Sequence, residues 1–383
     1  MADPQLPPNG TSGTIDACIH HTWGDVVELL EYLEHSWRGY VGVPRSLPRN
    51  AGMREWVPRG RYPNPFGDHL PAAKAGAPAP ASSAEALADE HLEPNGIRRA
   101  LLLFDRQMFV PGNPNPYLAT ALVRAINDWN LDRWLNRDER LYGVALVPSQ
   151  TPELAACEIA RVGPHPKIAG VLLAAPVLGK SLGHPVYEPI YRAAVEHDLP
   201  IVLHRGGDEL LDIPAGPAGG WPMTFAEYWC LAPLALVTQL LSLIANGMLD
   251  KYSKLRFYIV GAGICWIPAF VSRFDLIARA LRREVPWVRR SATDYLEQVR
   301  TSTYGIELGG SDGDTGDTSD NHGNEIVARI IDANPRLADW TIYGSGFPSW
   351  DAVSAAQVTR LFGDETSARI LRDGAFEWFR WPQ

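Results

Sequence analysis

The chain has 383 residues, 46% hydrophobic and 21% charged, with a formal net charge of −9. That composition suits a globular protein of one large domain or two ordinary ones. The acidic balance argues against a nucleic-acid backbone or an anionic membrane surface as partner, since both select a basic face. Cys18, Cys157, Cys230 and Cys265 form no CxxC pair and read as reduced thiols of a cytoplasmic protein. No apolar run is read as reaching the roughly 18 residues of a membrane span. The opening "MADPQLPPNGTSG" lacks the basic start and apolar core of a signal peptide. It is read as a flexible arm over residues 1–13.

Taken in chain order, eight strand-like runs recur: "TIDACIH" (14–20), "RRALLLF" (98–104), "LYGVALVP" (141–148), "IAGVLLA" (168–174), "PIVLHR" (200–205), "LRFYIVG" (255–261), "TSTYGI" (301–306) and "WTIYGS" (340–345). Most are short, continuous and apolar, as parallel strands buried on both faces are. Amphipathic helical stretches lie between them, at 116–135, 151–163 and 185–198. This alternation predicts an α/β fold, a (β/α)8 TIM barrel forming a single domain over 14–383. A doubly wound open sheet is the competitor, and no GxGxxG follows the first strand to support it.

Two segments interrupt the alternation. Residues about 40–95, rich in Pro, Gly and Ala, read as an insertion after the first strand that could fold over the strand tips. Residues 307–324, "ELGGSDGDTGDTSDNHGN", read as a solvated acidic loop, because the spacing of an EF-hand calcium loop is missing.

A barrel of this kind carries its site at the C-terminal ends of the strands. Strand one ends in Asp16, Cys18, His20 and His21, and period-two alternation puts Asp16, Cys18 and His20 on one face. Strand two ends at Asp105 and Arg106. Strand five ends in His204 and Arg205, followed by Asp208 and Glu209. Strand six offers no acid or base. Tyr304 and Glu307 follow strand seven, while Ser345, Gly346, Ser349 and Asp351 follow strand eight. Cys18, His20 and His204 together would suit zinc. The plainer reading makes Cys18 a small buried hydrophobe and gives the histidines ordinary hydrogen-bond partners. Of His35, His69 and His91, in or beside the insertion, one reaches the site if the insertion covers it. His165, His184 and His197 read as surface residues. Asp128 and Trp129 read as pairing or packing groups on a helix, and Trp266 as packing at the start of another.

The order of these motifs resembles the amidohydrolase superfamily, in particular its branch of amidohydrolase-related decarboxylases similar to aminocarboxymuconate semialdehyde decarboxylase. "IDACIHH" resembles that family's first-strand motif. "YEPIYRAAVEHDLPIVLHRGG" resembles its strand-five segment, and "IYGSGFPSWD" its strand-eight signature, with further likeness after strands two and six. The resemblance implies a metal held by two ligands on strand one, a histidine on strand five and an aspartate on strand eight. His20 and His204 match. Cys18 stands in place of an acid or histidine, Gly346 in place of the aspartate, and Ser349 in place of a histidine. Gly261 stands where strand six often carries a ligand.

A glycine neither binds a metal nor accepts a proton. The resemblance therefore implies a degenerate metal site in an enzyme of lyase or hydrolase type whose hydrolytic activity is doubtful. The expected chemistry is metal-independent acid–base catalysis on a small organic molecule: cyclisation, dehydration, isomerisation or decarboxylation, in secondary metabolism. An unperturbed imidazole titrates at about 6.5, so His20 and His204, with Asp208 and Glu209, are the catalytic candidates. Arg205, Tyr304, Glu307, Ser349 and His21 are the substrate-binding candidates. No cofactor is favoured. One alternative is a metal-dependent hydrolase or decarboxylase holding zinc or another divalent cation on Cys18, His20 and His204. Another is a non-catalytic subunit that binds a ligand or a partner. A homodimer is expected from the resemblance alone.

Overall fold

The computed structural model describes residues 13–41, 79–174, 178–204, 222–306 and 322–381. Eight strands alternate with helices: β1 (Thr14–His21), β2 (Ile97–Phe104), β3 (Leu141–Leu146), β4 (Ile168–Leu173), β5 (Ile201–His204), β6 (Phe257–Val260), β7 (Val299–Ser302) and β8 (Thr341–Ile342). Each pairs in parallel with the next, in the order β1 to β8. Beyond the end of β8 the sheet returns to β1. Ala17 N donates to Tyr343 O at 2.9 Å, Gly346 N to Cys18 O at 2.9 Å and His20 N to Phe347 O at 2.7 Å. These bonds close the sheet into the (β/α)8 barrel predicted from the alternation. Every residue of β3, β4, β5 and β6 is buried, which is why their sequences are unbroken apolar runs.

The outer helices start where the sequence places stop-and-start signals. α1 (Pro116–Asn130) is capped by Asn115, whose Oδ1 accepts from Tyr117 N and Leu118 N, with Pro116 in the first turn. α2 (Pro152–Val162) also opens on proline. α3 (Glu188–Glu196) follows a short turn at Pro185–Tyr187, and α4 (Phe225–Ala245) is capped by Thr224. α5 (Trp266–Ala280) begins where "CWIP" was read as a helix start. Trp129 is fully buried on α1, and Asp128 pairs with Arg161 at 2.7 Å, as expected of packing and pairing groups.

α4 corrects one expectation. Its 21 residues have a window of mean hydropathy 1.7, long and apolar enough to cross a membrane by length and composition, with 29% of that window buried. All four cysteines are free thiols. The arm over 1–12, the centre of the insertion (42–78), the acidic loop (307–321) and the candidates Arg205, Asp208, Glu209 and Glu307 lie outside the described residues.

Candidate active site at the barrel mouth

Strand alternation sends neighbouring β1 side chains to opposite faces. Asp16, Cys18 and His20 turn toward the mouth of the barrel and His21 turns away. His20 pairs across to β2 at Leu103, and His204, the last residue of β5, pairs with Val260. The mouth brings the two histidines together: His20 Nε2 and His204 Nε2 stand 2.7 Å apart, with the rings edge-on at 88°. His20 Nδ1 lies 3.3 Å from Gly346 O. A carbonyl only accepts, so Nδ1 carries the hydrogen, His20 Nε2 accepts, and His204 Nε2–H donates. Cys18 Sγ lies 3.9 Å from His20 Nε2.

Gly346 adopts φ +78°, a left-handed backbone that favours glycine. Tyr304 lies over it. A Cβ added at Gly346 would meet the tyrosine Cδ2 at 2.2 Å, Cε2 at 2.4 Å and Cγ at 2.6 Å. The space in which an eighth-strand side chain would begin is filled by an aromatic ring. That ring is held in place. The Tyr304 hydroxyl donates to Ser349 Oγ at 3.1 Å, and Ser349 donates to Asp351 Oδ1 at 2.5 Å. The same ring meets His20 edge-on at 5.6 Å. Tyr304 and Ser349 therefore join the site, as a wall of the mouth beside the histidine pair.

Asp16 and His91 form a second cluster, which sequence reasoning only half saw. Asp16 is fully buried. Its Oδ1 accepts from Cys18 N at 3.0 Å and Ser345 N at 2.9 Å, tying the tips of β1 and β8 together. Its Oδ2 accepts from His91 Nε2 at 2.8 Å. His91 comes from the one-turn helix Ala88–Leu92, at the end of the insertion, and stacks on Phe347 with ring centroids 4.3 Å apart. Among the described residues of the insertion, this is the histidine that reaches the strand tips. Its only signal in the sequence was its position.

The structure does not bring His21 to the others. It is fully buried behind β1, with Nδ1 2.9 Å from Leu103 O and Nε2 2.9 Å from the Asn130 carboxamide. It stacks on Trp129 at 5.5 Å and meets Trp134 edge-on at 4.7 Å. Burial pushes its pKa from 6.5 down to about 4, against the raising effect of its bonds to Leu103 and Asn130. Neutral and enclosed, it packs the barrel wall and does not face a ligand.

The donor set can be compared with that of a metal centre. Two imidazole nitrogens at tetrahedral zinc, each about 2.0–2.1 Å from the ion, stand about 3.3 Å apart. At 2.7 Å the His20 and His204 nitrogens have the separation of an N–H···N hydrogen bond. The eighth strand supplies no carboxylate at Gly346. Among the described residues, no group of three or more His, Cys, Asp or Glu side chains is arranged to hold an ion. The residues present therefore lack the eighth-strand carboxylate of the metal centre that the resemblance implies, while Cys18, His20 and His204 remain.

Comparisons with known proteins agree on the family. A family model described as amidohydrolase matches residues 69–381. The gamma-resorcylate decarboxylase of Rhodococcus jostii (strain RHA1) is 29% identical over 173 residues, 42% of this chain. The chain spans about half, 51%, of the length of that curated relative. Among solved structures, an amidohydrolase from Mycobacterium avium subsp. paratuberculosis K-10 superposes with a TM-score of 0.69 at 19% identity, covering 97% of this chain and 100% of that one. The 5-carboxyvanillate decarboxylase of Novosphingobium aromaticivorans DSM 12444, complexed with manganese and 4-hydroxy-3-methoxy-5-nitrobenzoic acid, gives 0.62 at 18% identity over 97% and 96% of the two chains. A 2,6-dihydroxybenzoate decarboxylase from Rhizobium gives 0.63 at 17% over 97% and 99%. At these identities the superpositions speak for the shared barrel, and the family model decides membership: the chain belongs to the amidohydrolase family.

Proposed function

We propose that the chain is a lyase-type enzyme acting on a small carboxylated organic molecule without a resident metal, and that His20 and His204 are its proton-transfer pair. One observation carries this reading. Tyr304 occupies the room above Gly346, while His20, which it borders, is hydrogen-bonded to His204 at 2.7 Å. A bound metal needs its ligands' lone pairs, whereas a proton-transfer pair needs one nitrogen to accept and the other to donate.

Decarboxylation is the first member of the class to test, because three of the relatives above are decarboxylases. In that step the protonated pair gives a proton to the substrate carbon that bears the carboxylate. The bond to the carboxyl carbon then breaks, its electron pair remains on the protonated carbon's framework, and carbon dioxide leaves. The pair regains its proton from solvent. Dehydration, isomerisation and cyclisation require the same proton movements. Arg205, next to His204 in the chain, is proposed to anchor the substrate carboxylate. Asp208 and Glu209 are proposed as further proton-transfer groups and Glu307 as a further substrate-binding group. Tyr304 and Ser349 line the mouth. A role in secondary metabolism and a homodimeric assembly belong to the same proposal, and the mass of the protein in solution tests the latter.

A second reading has its own support. Cys18 Sγ and both Nε2 atoms border one space, and one relative was crystallised with manganese. Metal-dependent decarboxylation would then use Cys18, His20 and His204. The test is turnover of a panel of hydroxybenzoates, followed as loss of substrate absorbance, for protein stripped with a chelator and for protein supplied with zinc or manganese. Equal rates support the proton-transfer pair. Activity that appears only with added metal would establish the second reading.

A further inference from the structure

At the opposite end of the barrel, around the N-terminal ends of β2, β3 and β4, lies a cavity of about 840 Å³. Ile97 at the start of β2 pairs with Thr14, and Leu103 near its end pairs with His20. Six residues of strand separate these levels, roughly 20 Å at about 3.3 Å per residue. The cavity is therefore remote from the histidine pair.

Its lining is basic in an acidic protein. Arg98, Arg99, Arg140, Lys167 and Arg372 contribute five positive charges, against Glu93 and Glu139. Two of the five are committed to neighbouring acids. Arg140 pairs with Asp138 at 2.6 Å and Glu93 at 2.7 Å, and Arg372 pairs with Asp373 at 2.6 Å. Lys167 donates to Glu139 O at 2.5 Å and lies over the Tyr142 ring at 4.6 Å.

Arg99 differs from these. Its guanidinium lies over two rings, 5.6 Å from the Tyr142 centroid and 4.7 Å from that of Phe376, which fixes its plane. Its Nη1 is buried and has no hydrogen-bond partner among the described residues. Nη1 is shut off from solvent, so a ligand in the cavity would meet Arg99 through the other atoms that line it. Arg98, exposed on the same strand, has no carboxylate within ion-pair distance among the described residues. A concave surface lined by one sign of charge concentrates ligands of the other. The volume lies within the range of pockets for small organic molecules, above what an inorganic ion needs.

We propose that this cavity is a second binding site for a small organic anion bearing carboxylate or phosphate groups, held by Arg99 with help from Arg98 and Lys167. The Arg99 fork presents two N–H groups that match a carboxylate or phosphate edge. The Tyr142 and Phe376 rings hold the plane of that fork beside the cavity.

Thermal melting of the full chain tests the proposal at constant ionic strength, with citrate, inorganic phosphate or benzoate compared against chloride. Citrate or phosphate is expected to raise the melting temperature by several degrees in a saturable manner. The shift should be lost in Arg99→Met and reduced in Arg98→Ala, an exposed substitution that leaves the fold intact. Which probe binds more tightly distinguishes a carboxylate site from a phosphate site. A shift for none of the three probes, or an undiminished shift in both variants, overturns the proposal. An Arg99→Met protein that melts lower equally in every anion shows a purely structural role and also overturns it. None of these outcomes bears on the histidine pair, so the two readings fail separately.

Discussion

The two ends of the barrel grow from the same strands and gather different chemistry, a histidine pair at one and a basic cavity at the other. At the C-terminal mouth several polar groups pair with one another: His20 with His204, Asp16 with His91 and two backbone amides, Tyr304 with Ser349 and Ser349 with Asp351, while Tyr258 Oη and the Gln107 carboxamide have no partner among the described residues. At the N-terminal face Arg98, Arg99 and Lys167 line an open cavity, and Arg98 has no carboxylate within ion-pair distance among the described residues. The comparison sets a cluster paired internally at close distance, suited to proton movement, against a concave basic lining, suited to attract an anion.

The largest expected effect falls on the mouth. Replacing His20 or His204 by Ala should lower turnover by about 100- to 10,000-fold, the usual range for loss of a general acid or base. Full activity in both variants would break the assignment. Asp16→Ala is next. It removes the acceptor for Cys18 N, Ser345 N and His91 at a fully buried position, and should cost about 3–5 kcal/mol in urea unfolding. Asp16→Asn keeps an acceptor and should cost less.

His21 sharpens the contrast between wall and mouth through pH. Its folded pKa of about 4 lies below the unfolded 6.5. Above pH 6.5 both states leave it neutral. As pH falls from 6.5 toward 4 the unfolded chain takes up a proton that the folded chain refuses, so stability is lost across that window, by about 3 kcal/mol. Unfolding followed at pH 7 and pH 4.5 should show a smaller drop in His21→Phe than in the natural sequence. An equal drop in both would remove His21 as the cause.

Gly346→Ala carries the smallest expected effect. Its new methyl meets the Tyr304 ring, and the change should cost about 1–3 kcal/mol, part of it recovered in a Tyr304→Ala background. Strict additivity of the two substitutions would mean that the ring does not fill that space.

Much of this architecture was legible in the sequence because strands buried on both faces write continuous apolar runs. β7 and β8 end earlier than those runs, at Ser302 and Ile342, because glycine and serine follow and the chain turns into the site. α4 escaped notice because a helix apolar on most sides shows no period to read. At the site, the meeting of His20 and His204 followed from their places at two strand tips. The partnership of Asp16 with His91 joins residues 75 apart through the insertion, and no local pattern encodes it. The seating of Tyr304 over Gly346 depends on a single φ angle and the packing of one ring. Facing was the avoidable error for His21, since adjacent residues of a strand point to opposite sides.

The most direct measurement is the metal content of the purified protein by elemental analysis, paired with turnover before and after chelation. The account predicts far less than one divalent ion per chain and a rate that chelation leaves unchanged. One tightly held manganese or zinc per chain, with activity that vanishes on its removal and returns with the ion, would contradict it.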